Sequence, residues 1–180
     1  MQHTLIALVE DKPGVLNRVS SLFRRRGFNI DSLTVGRTDQ PGISRMTIVM
    51  DSDSAGAERV TSYLYKLVNV IYVDDVTNRP AVNRDLAMMK VSVSASNRTE
   101  IIQLVDVFRA RIVDVANDSL IIEITGDEDK ITGFVEVLRP YGIIEMVRTG
   151  IVSMLRGAIA PDSGHAFAMN GNGKMVKVFS

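Results

Sequence analysis

No cysteine occurs anywhere in this chain, so disulfides, thiolate zinc sites and cysteine nucleophiles are excluded at the outset. Histidine is nearly absent as well. Only His3 and His165 could supply an imidazole, and they stand at opposite ends of the 180 residues. An excess of either charge is missing: Lys plus Arg and Asp plus Glu each number 21, a formal net charge of zero. That balance argues against a protein whose main task is to grip DNA or an anionic membrane, and neither partner is expected. No apolar run approaches the roughly 18 residues a membrane-crossing helix needs, and the first residues lack the basic and apolar regions of a secretory signal. A soluble, cytoplasmic protein is the expectation. What is abundant is apolar side chain, 46 % of the chain, enough for one core or two small ones.

Hydrophobic periodicity predicts a strand over 2–10, a helix over 14–26, strands over 29–37 and 43–50, a helix over 55–68 and a strand over 70–77. Val15, Leu16, Val19, Leu22 and Phe23 form an apolar stripe at helical spacing, as do Val60, Tyr63, Leu64, Leu67 and Val68. Met46, Ile48 and Met50 alternate with Arg45 and Thr47, the pattern of a half-buried strand. The second half repeats the order: strand 87–94, helix 98–110, strands 112–117 and 119–126, a helix over 128–139 capped by Asp127 and stopped at Pro140 and Gly142, and strand 143–149. A local phrase recurs too, LFRRRGFNI at 22–30 against VFRARIVDV at 107–115. The fold class is therefore α+β: two tandem ferredoxin-like βαββαβ domains, each a four-stranded antiparallel sheet with two helices on one face. The domains are expected at 1–78 and 85–157, joined by a linker over 79–84 and followed by a mobile tail over 158–180. A sheet covered on one side leaves an apolar face to hide, so a homodimer through the first domain is expected.

The segment IALVEDKPGVLNRVSSLFRRRGFNIDSLTVG (6–36) carries most of the functional information. A strand ends in the polar turn Glu10-Asp11-Lys12, Pro13-Gly14 opens a helix, and Gly27 closes it before Asn29. The first-turn N–H groups of a helix have no partner within it and the macrodipole favours anions, so a small carboxylate can dock there. No nucleophile in the segment is paired with a base, which suits sensing a small molecule better than transforming one. Plainer readings stand beside this one. Pro13-Gly14 starts many ordinary helices, Asn29 can satisfy its own turn, and Arg24-Arg25-Arg26 suits the negative end of a helix dipole.

The run EDKPGVLNRVSSLFRRRGFNIDSLTVG resembles the ACT domain, a βαββαβ module that binds amino acids. More narrowly, it resembles the small regulatory subunits of acetolactate synthase (acetohydroxyacid synthase), with Ser44-Arg45-Met46-Thr47, Lys66-Leu67 up to Val70, FRARIVDV at 108–115 and Arg148-Thr149-Gly150 extending the likeness over about residues 1–157. The resemblance implies a chain that performs no chemistry itself. It implies a large catalytic partner using thiamine diphosphate, Mg²⁺ and FAD, which the small subunit activates and subjects to feedback inhibition by valine or another branched-chain amino acid. It places the effector between two ACT domains, with Asp11, Lys12, Pro13, Gly14, Val15 and Leu16 of one protomer facing Asn29 and Ile30 of the other. Effector-sensitive members commonly carry Asn at position 11. An ionised Asp11 can only accept hydrogen bonds, so it would pair with a ligand ammonium and repel a ligand carboxylate. Two functional classes are thus open, a regulatory subunit and a free-standing amino-acid sensor or transcriptional regulator; co-purification of a much larger catalytic chain would select the first.

Overall fold

The computed structural model describes residues 1–157 and the backbone of two short strands, Phe167–Met169 and Met175–Lys177, which pair with each other antiparallel. His165 and most of the tail expected over 158–180 lie outside the described residues. The chain divides into two compact units, Met1–Val82 together with the segment from Ser153, and Asn83–Val152.

In the first unit the elements are β1 (Gln2–Glu10), α1 (Val15–Arg26), β2 (Ser32–Arg37), β3 (Ile43–Asp51), α2 (Ser54–Tyr65) and β4 (Val70–Asp75). The strands form one antiparallel sheet in the order β2-β3-β1-β4. Leu5, Ala7 and Val9 of β1 and Met46, Ile48 and Met50 of β3 point to the helices and are buried with Val15, Val19, Leu22 and Phe23 of α1 and Val60 and Leu64 of α2. The stripes read from the sequence are thus the core of the unit. The second unit continues with β5 (Ala81–Ser92), α3 (Arg98–Val107), β6 (Arg111–Val115), β7 (Ser119–Gly126), α4 (Glu128–Leu138) with a 3₁₀ turn (Arg139–Tyr141), and β8 (Ile143–Arg148). Its order, β6-β7-β5-β8, is the same, and Ala87, Met89, Val91, Leu120, Ile122, Ile124, Ile131 and Phe134 fill its core. Asp127 caps α4 as expected, accepting from the Lys130 N–H at 3.0 Å. A ninth strand, β9 (Val152–Leu155), pairs with β5.

Several boundaries differ from the sequence expectation. The first strand of the second half begins at Ala81, inside the stretch expected to be linker, because β9 offers it a pairing partner that no local pattern reveals. Residues Ser153–Gly157, expected in the second domain, cluster with the first unit. The recurring phrase is not in structural register either. Gly27 ends α1 at φ +72°, with Phe28 N–H returning to Phe23 carbonyl at 3.1 Å; in α3 the left-handed residue is Arg109 at φ +53°, with Ala110 N–H returning to Val105 carbonyl at 2.8 Å. The helix stop is the same device, three residues displaced from the phrase.

The expected bare sheet face is not found in the first unit. On the side away from the helices Ile6, Thr47, Val49 and Tyr72 are all at most 3 % exposed within the single chain. Ser153–Gly157 lies over this side: the Arg45 guanidinium donates to the Ser153 carbonyl at 2.7 Å, and Met154, Leu155 and Gly157 line a cavity with Ile6 and Tyr72. The reason given for a dimer therefore falls away for that surface.

Candidate functional site

β1 delivers the chain to the top of α1 through Glu10 to Gly14. Gly14 stands at the N-cap with φ +83°, a left-handed conformation that costs glycine nothing, and open space surrounds the position a Cβ would take. The turn carries no side-chain cap, and no acidic residue occupies the first turn of α1. Val15 N–H reaches Lys12 carbonyl at 3.3 Å and Arg18 N–H reaches Gly14 carbonyl at 3.0 Å, whereas the amides of Gly14, Leu16 and Asn17 have no hydrogen-bond partner among the described residues. Three such N–H groups at a helix start whose first turn carries no acid form a receptive place for a carboxylate.

The side chains around the turn divide into braces and free groups. Val15 is buried in the core and offers only backbone, while Leu16 is 45 % exposed and presents an apolar surface beside the free amides. Lys12 pairs with Glu10 at 3.0 Å, and Asp11 pairs with Arg37, at the end of β2, at 3.2 Å. Beneath them Asn69, nearly buried, donates from its side chain to Glu10 at 2.5 Å and accepts from Arg18, while its carbonyl accepts from Glu10 N–H at 2.9 Å. This Glu10-Asn69-Arg18 bridge ties β1, the start of β4 and α1 together. Sequence reasoning missed it, as it missed Arg37; Arg18 and Asn69 are 51 positions apart and carry no spacing signal.

Asn29 and Ile30 do not join the turn within one chain. They follow α1, whose 12 residues span about 18 Å at 1.5 Å per residue, so they lie at the helix's far end. Asn29 donates to Asp31 at 2.8 Å, the local turn contact that the plainer reading anticipates, and Ile30 packs on the core. Near that end, between α1 and α2, Leu22, Arg25, Arg26, Tyr63, Lys66 and Leu67 line a groove of about 260 Å³. There Arg26 stacks 4.1 Å above the Tyr63 ring, a contact that with the helix dipole accounts for the basic run.

The family model described as an AHAS small subunit-like ACT domain matches residues 5–72, and the one described as the small subunit of acetolactate synthase matches 84–157. The chain belongs to the acetolactate synthase small-subunit family. It is 52 % identical over 155 residues to the acetolactate synthase small subunit of Mycolicibacterium smegmatis, covering 86 % of this chain and 91 % of that one. With the Mycobacterium leprae small subunit it shares 49 % identity over 155 residues, 86 % of this chain and 92 % of that one. The crystal structure of the Thermotoga maritima small subunit matches with a TM-score of 0.83 at 40 % identity, covering 88 % of this chain and 99 % of that one. The likeness therefore spans both βαββαβ units and the family is read from the whole fold, not from the Pro-Gly turn alone. No helix among the described residues is long and apolar enough to cross a membrane.

Proposed function

We propose that this chain is a non-catalytic regulatory subunit that activates a large acetolactate synthase chain and makes it sensitive to valine. The catalytic partner would hold thiamine diphosphate, Mg²⁺ and FAD, and the complex would work in the cytoplasm. The observation that carries the effector assignment is the uncapped, acid-free start of α1 with its free Gly14, Leu16 and Asn17 amides. A valine carboxylate would accept from these amides, its isopropyl group would lie on Leu16, and its ammonium would meet Asp11.

The separation of Asn29 and Ile30 from the turn supports a site completed by a second copy. One chain supplies Asp11 to Leu16, and the far end of α1 in another supplies Asn29 and Ile30. Such a site couples ligand binding to dimer geometry, and a ligand held better in one arrangement than the other shifts the catalytic partner by that difference alone. Arg37 moderates the concern raised by Asp11, because a guanidinium 3.2 Å from the carboxylate offsets part of its repulsion toward a ligand anion.

Calorimetric titration of the purified chain with valine, leucine and isoleucine tests the effector, and assay of the catalytic chain with and without this one tests activation. Saturable valine binding and a rise in activity that valine reverses are expected. Titrations without heat for all three amino acids would overturn the effector assignment, and an unchanged assay would overturn activation.

A further inference from the structure

The side of the first sheet away from the helices holds a cavity of about 240 Å³, lined among the described residues by Ile6, Arg45, Tyr72, Asp74, Met154, Leu155 and Gly157. All of these belong to the first unit. The strand register builds the floor. Arg45 and Tyr72 are both opposite Leu8, and Asp74 is opposite Ile6, so their side chains share one face, with Arg45 and Tyr72 two strand spacings apart, about 10 Å. The segment after β8 lies over this floor, fastened by Arg45 to the Ser153 carbonyl and by Arg156 N–H to the Pro80 carbonyl at 2.8 Å.

The charges in this cavity do not cancel. Asp74 is answered by Arg79 at 2.5 Å, and burial together with that nearby carboxylate holds the Tyr72 phenol protonated. Arg45 is half buried, and burial presses its pKa below the ordinary guanidinium value, yet no carboxylate lies within ion-pair distance of it among the described residues. Among the described residues its one hydrogen bond goes to a neutral carbonyl, which leaves most of five N–H donors without a described partner. A partly desolvated cation without a counter-ion is costly unless an anion joins it. The apolar walls, Ile6, Leu155 and Met154, suit a short branched aliphatic group.

We infer that this cavity is a second small-molecule site, distinct from the Gly14 turn, which takes a short branched aliphatic monocarboxylate with its carboxylate on Arg45. Among the described residues the walls carry one positive charge without a carboxylate partner, so a monoanion leaves the site neutral whereas a zwitterion leaves it charged. A 2-oxo acid therefore fits better than the amino acid of the same skeleton. This assignment stands whether or not valine occupies the turn.

The probe is 3-methyl-2-oxobutanoate, which has valine's carbon skeleton and no ammonium, titrated calorimetrically into the full chain. Saturable binding is expected, with an isotherm that saturating valine leaves in place. Arg45→Met removes the charge while keeping length, and Leu155→Trp fills the space from a partly exposed position without touching any charge. Each should weaken the 2-oxo acid about tenfold or more, as loss of a charge-assisted hydrogen bond or of the cavity volume requires. Circular dichroism confirms that the variants are folded, and if Arg45→Met is not, Leu155→Trp alone decides. No binding to the unmodified chain, displacement by valine, or binding that folded variants leave unchanged would each overturn the site.

Discussion

In the first unit the chain turns into α1 through Gly14, and the first turn that follows, Val15-Leu16-Asn17, carries no acid. In the second unit it turns into α3 through Asn97, and the third helical residue is Glu100. The two units share strand order, helix placement and a core on one sheet face, so the fold alone does not separate them. Among the described residues, both helices leave first-turn amides without a protein partner. What separates them is that one start carries its own negative charge where the other has Asn17, and that Asn97 spends its side chain bracing Ser94 N–H at 2.7 Å where Gly14 leaves open space. Identical architecture thus leaves an acid-free helix start in one unit and places an acid at the equivalent start in the other.

The second unit instead builds a buried polar cluster on β5. Asp85, 2 % exposed, accepts from Arg148 Nε at 2.7 Å, from the Thr149 hydroxyl at 3.1 Å and from Gly150 N–H at 3.1 Å. This is what the Arg148-Thr149-Gly150 motif does. Asp85→Ala removes the buried acceptor shared by Arg148, Thr149 and Gly150 and should cost about 3–5 kcal/mol of stability. Denaturant unfolding of the variant should show that loss. A change below about 1 kcal/mol would mean the cluster is no more than a surface ion pair.

The reverse test acts on the first unit. Gly14→Asp puts a carboxylate beside the free amides, and loss of a charge-assisted hydrogen bond to the ligand is worth roughly 1.5–3 kcal/mol, so valine should bind about tenfold or more weakly. Gly14→Asn tolerates the same left-handed backbone without the charge and should lose much less. Equal losses in the two variants would assign the effect to bulk or backbone, and unchanged affinity in both would move the effector elsewhere.

Period and punctuation made the eight principal strands and four helices legible, because each buries one face and Val19, Phe23, Ile48, Ile122 and Phe134 fall at the spacings those faces need. Ends were less legible. Asn29 and Asp31 bond to each other and delay β2 to Ser32, and α2 stops at Tyr65 although Leu67 and Val68 continue the stripe. The turn at Asp11–Leu16 could be read because its chemistry is backbone and local. Arg37 against Asp11, Asn69 beneath Glu10 and the Ser153–Gly157 cover over Tyr72 could not, since each depends on residues brought together from distant positions. Arg45 shows the limit well: alternation marks it as the outward side of a half-buried strand, and only the fold shows that this side is covered.

A finer perturbation makes α1 imitate α3. Asn17 holds the position in α1 that Glu100 holds in α3, three residues past the N-cap. Asn17→Glu should stabilise the helix start, since an acid there complements the dipole by about 0.3–1 kcal/mol, and compete with a ligand carboxylate by a similar amount. Valine affinity should fall roughly two- to fivefold while the melting temperature holds or rises, a pairing of effects that ordinary damage to the site does not produce. A fall in both would count against the comparison.

The smallest effect is expected at Asp11. As an isolated carboxylate it would repel the ligand anion, and Asp11→Asn would then tighten valine binding strongly by removing a charge and adding a donor. In the structure it faces Arg37 at 3.2 Å, with the two side chains 41 % and 87 % exposed, an ion pair of a kind worth at most about 1 kcal/mol. The substitution therefore removes a negative charge and frees a positive one, both of which favour a carboxylate, but it also weakens the contact with the ligand ammonium. These contributions oppose one another in a solvated place, so affinity should stay equal or improve by no more than about threefold, with the gain fading as salt screens the freed guanidinium. Titration of Asp11→Asn and of Asp11→Asn with Arg37→Gln, each at low and at high salt, separates the terms. Collapse of affinity in the single variant would make Asp11 the main ammonium partner, and a salt-independent gain would mean that the new amide, not the freed Arg37, meets the ligand.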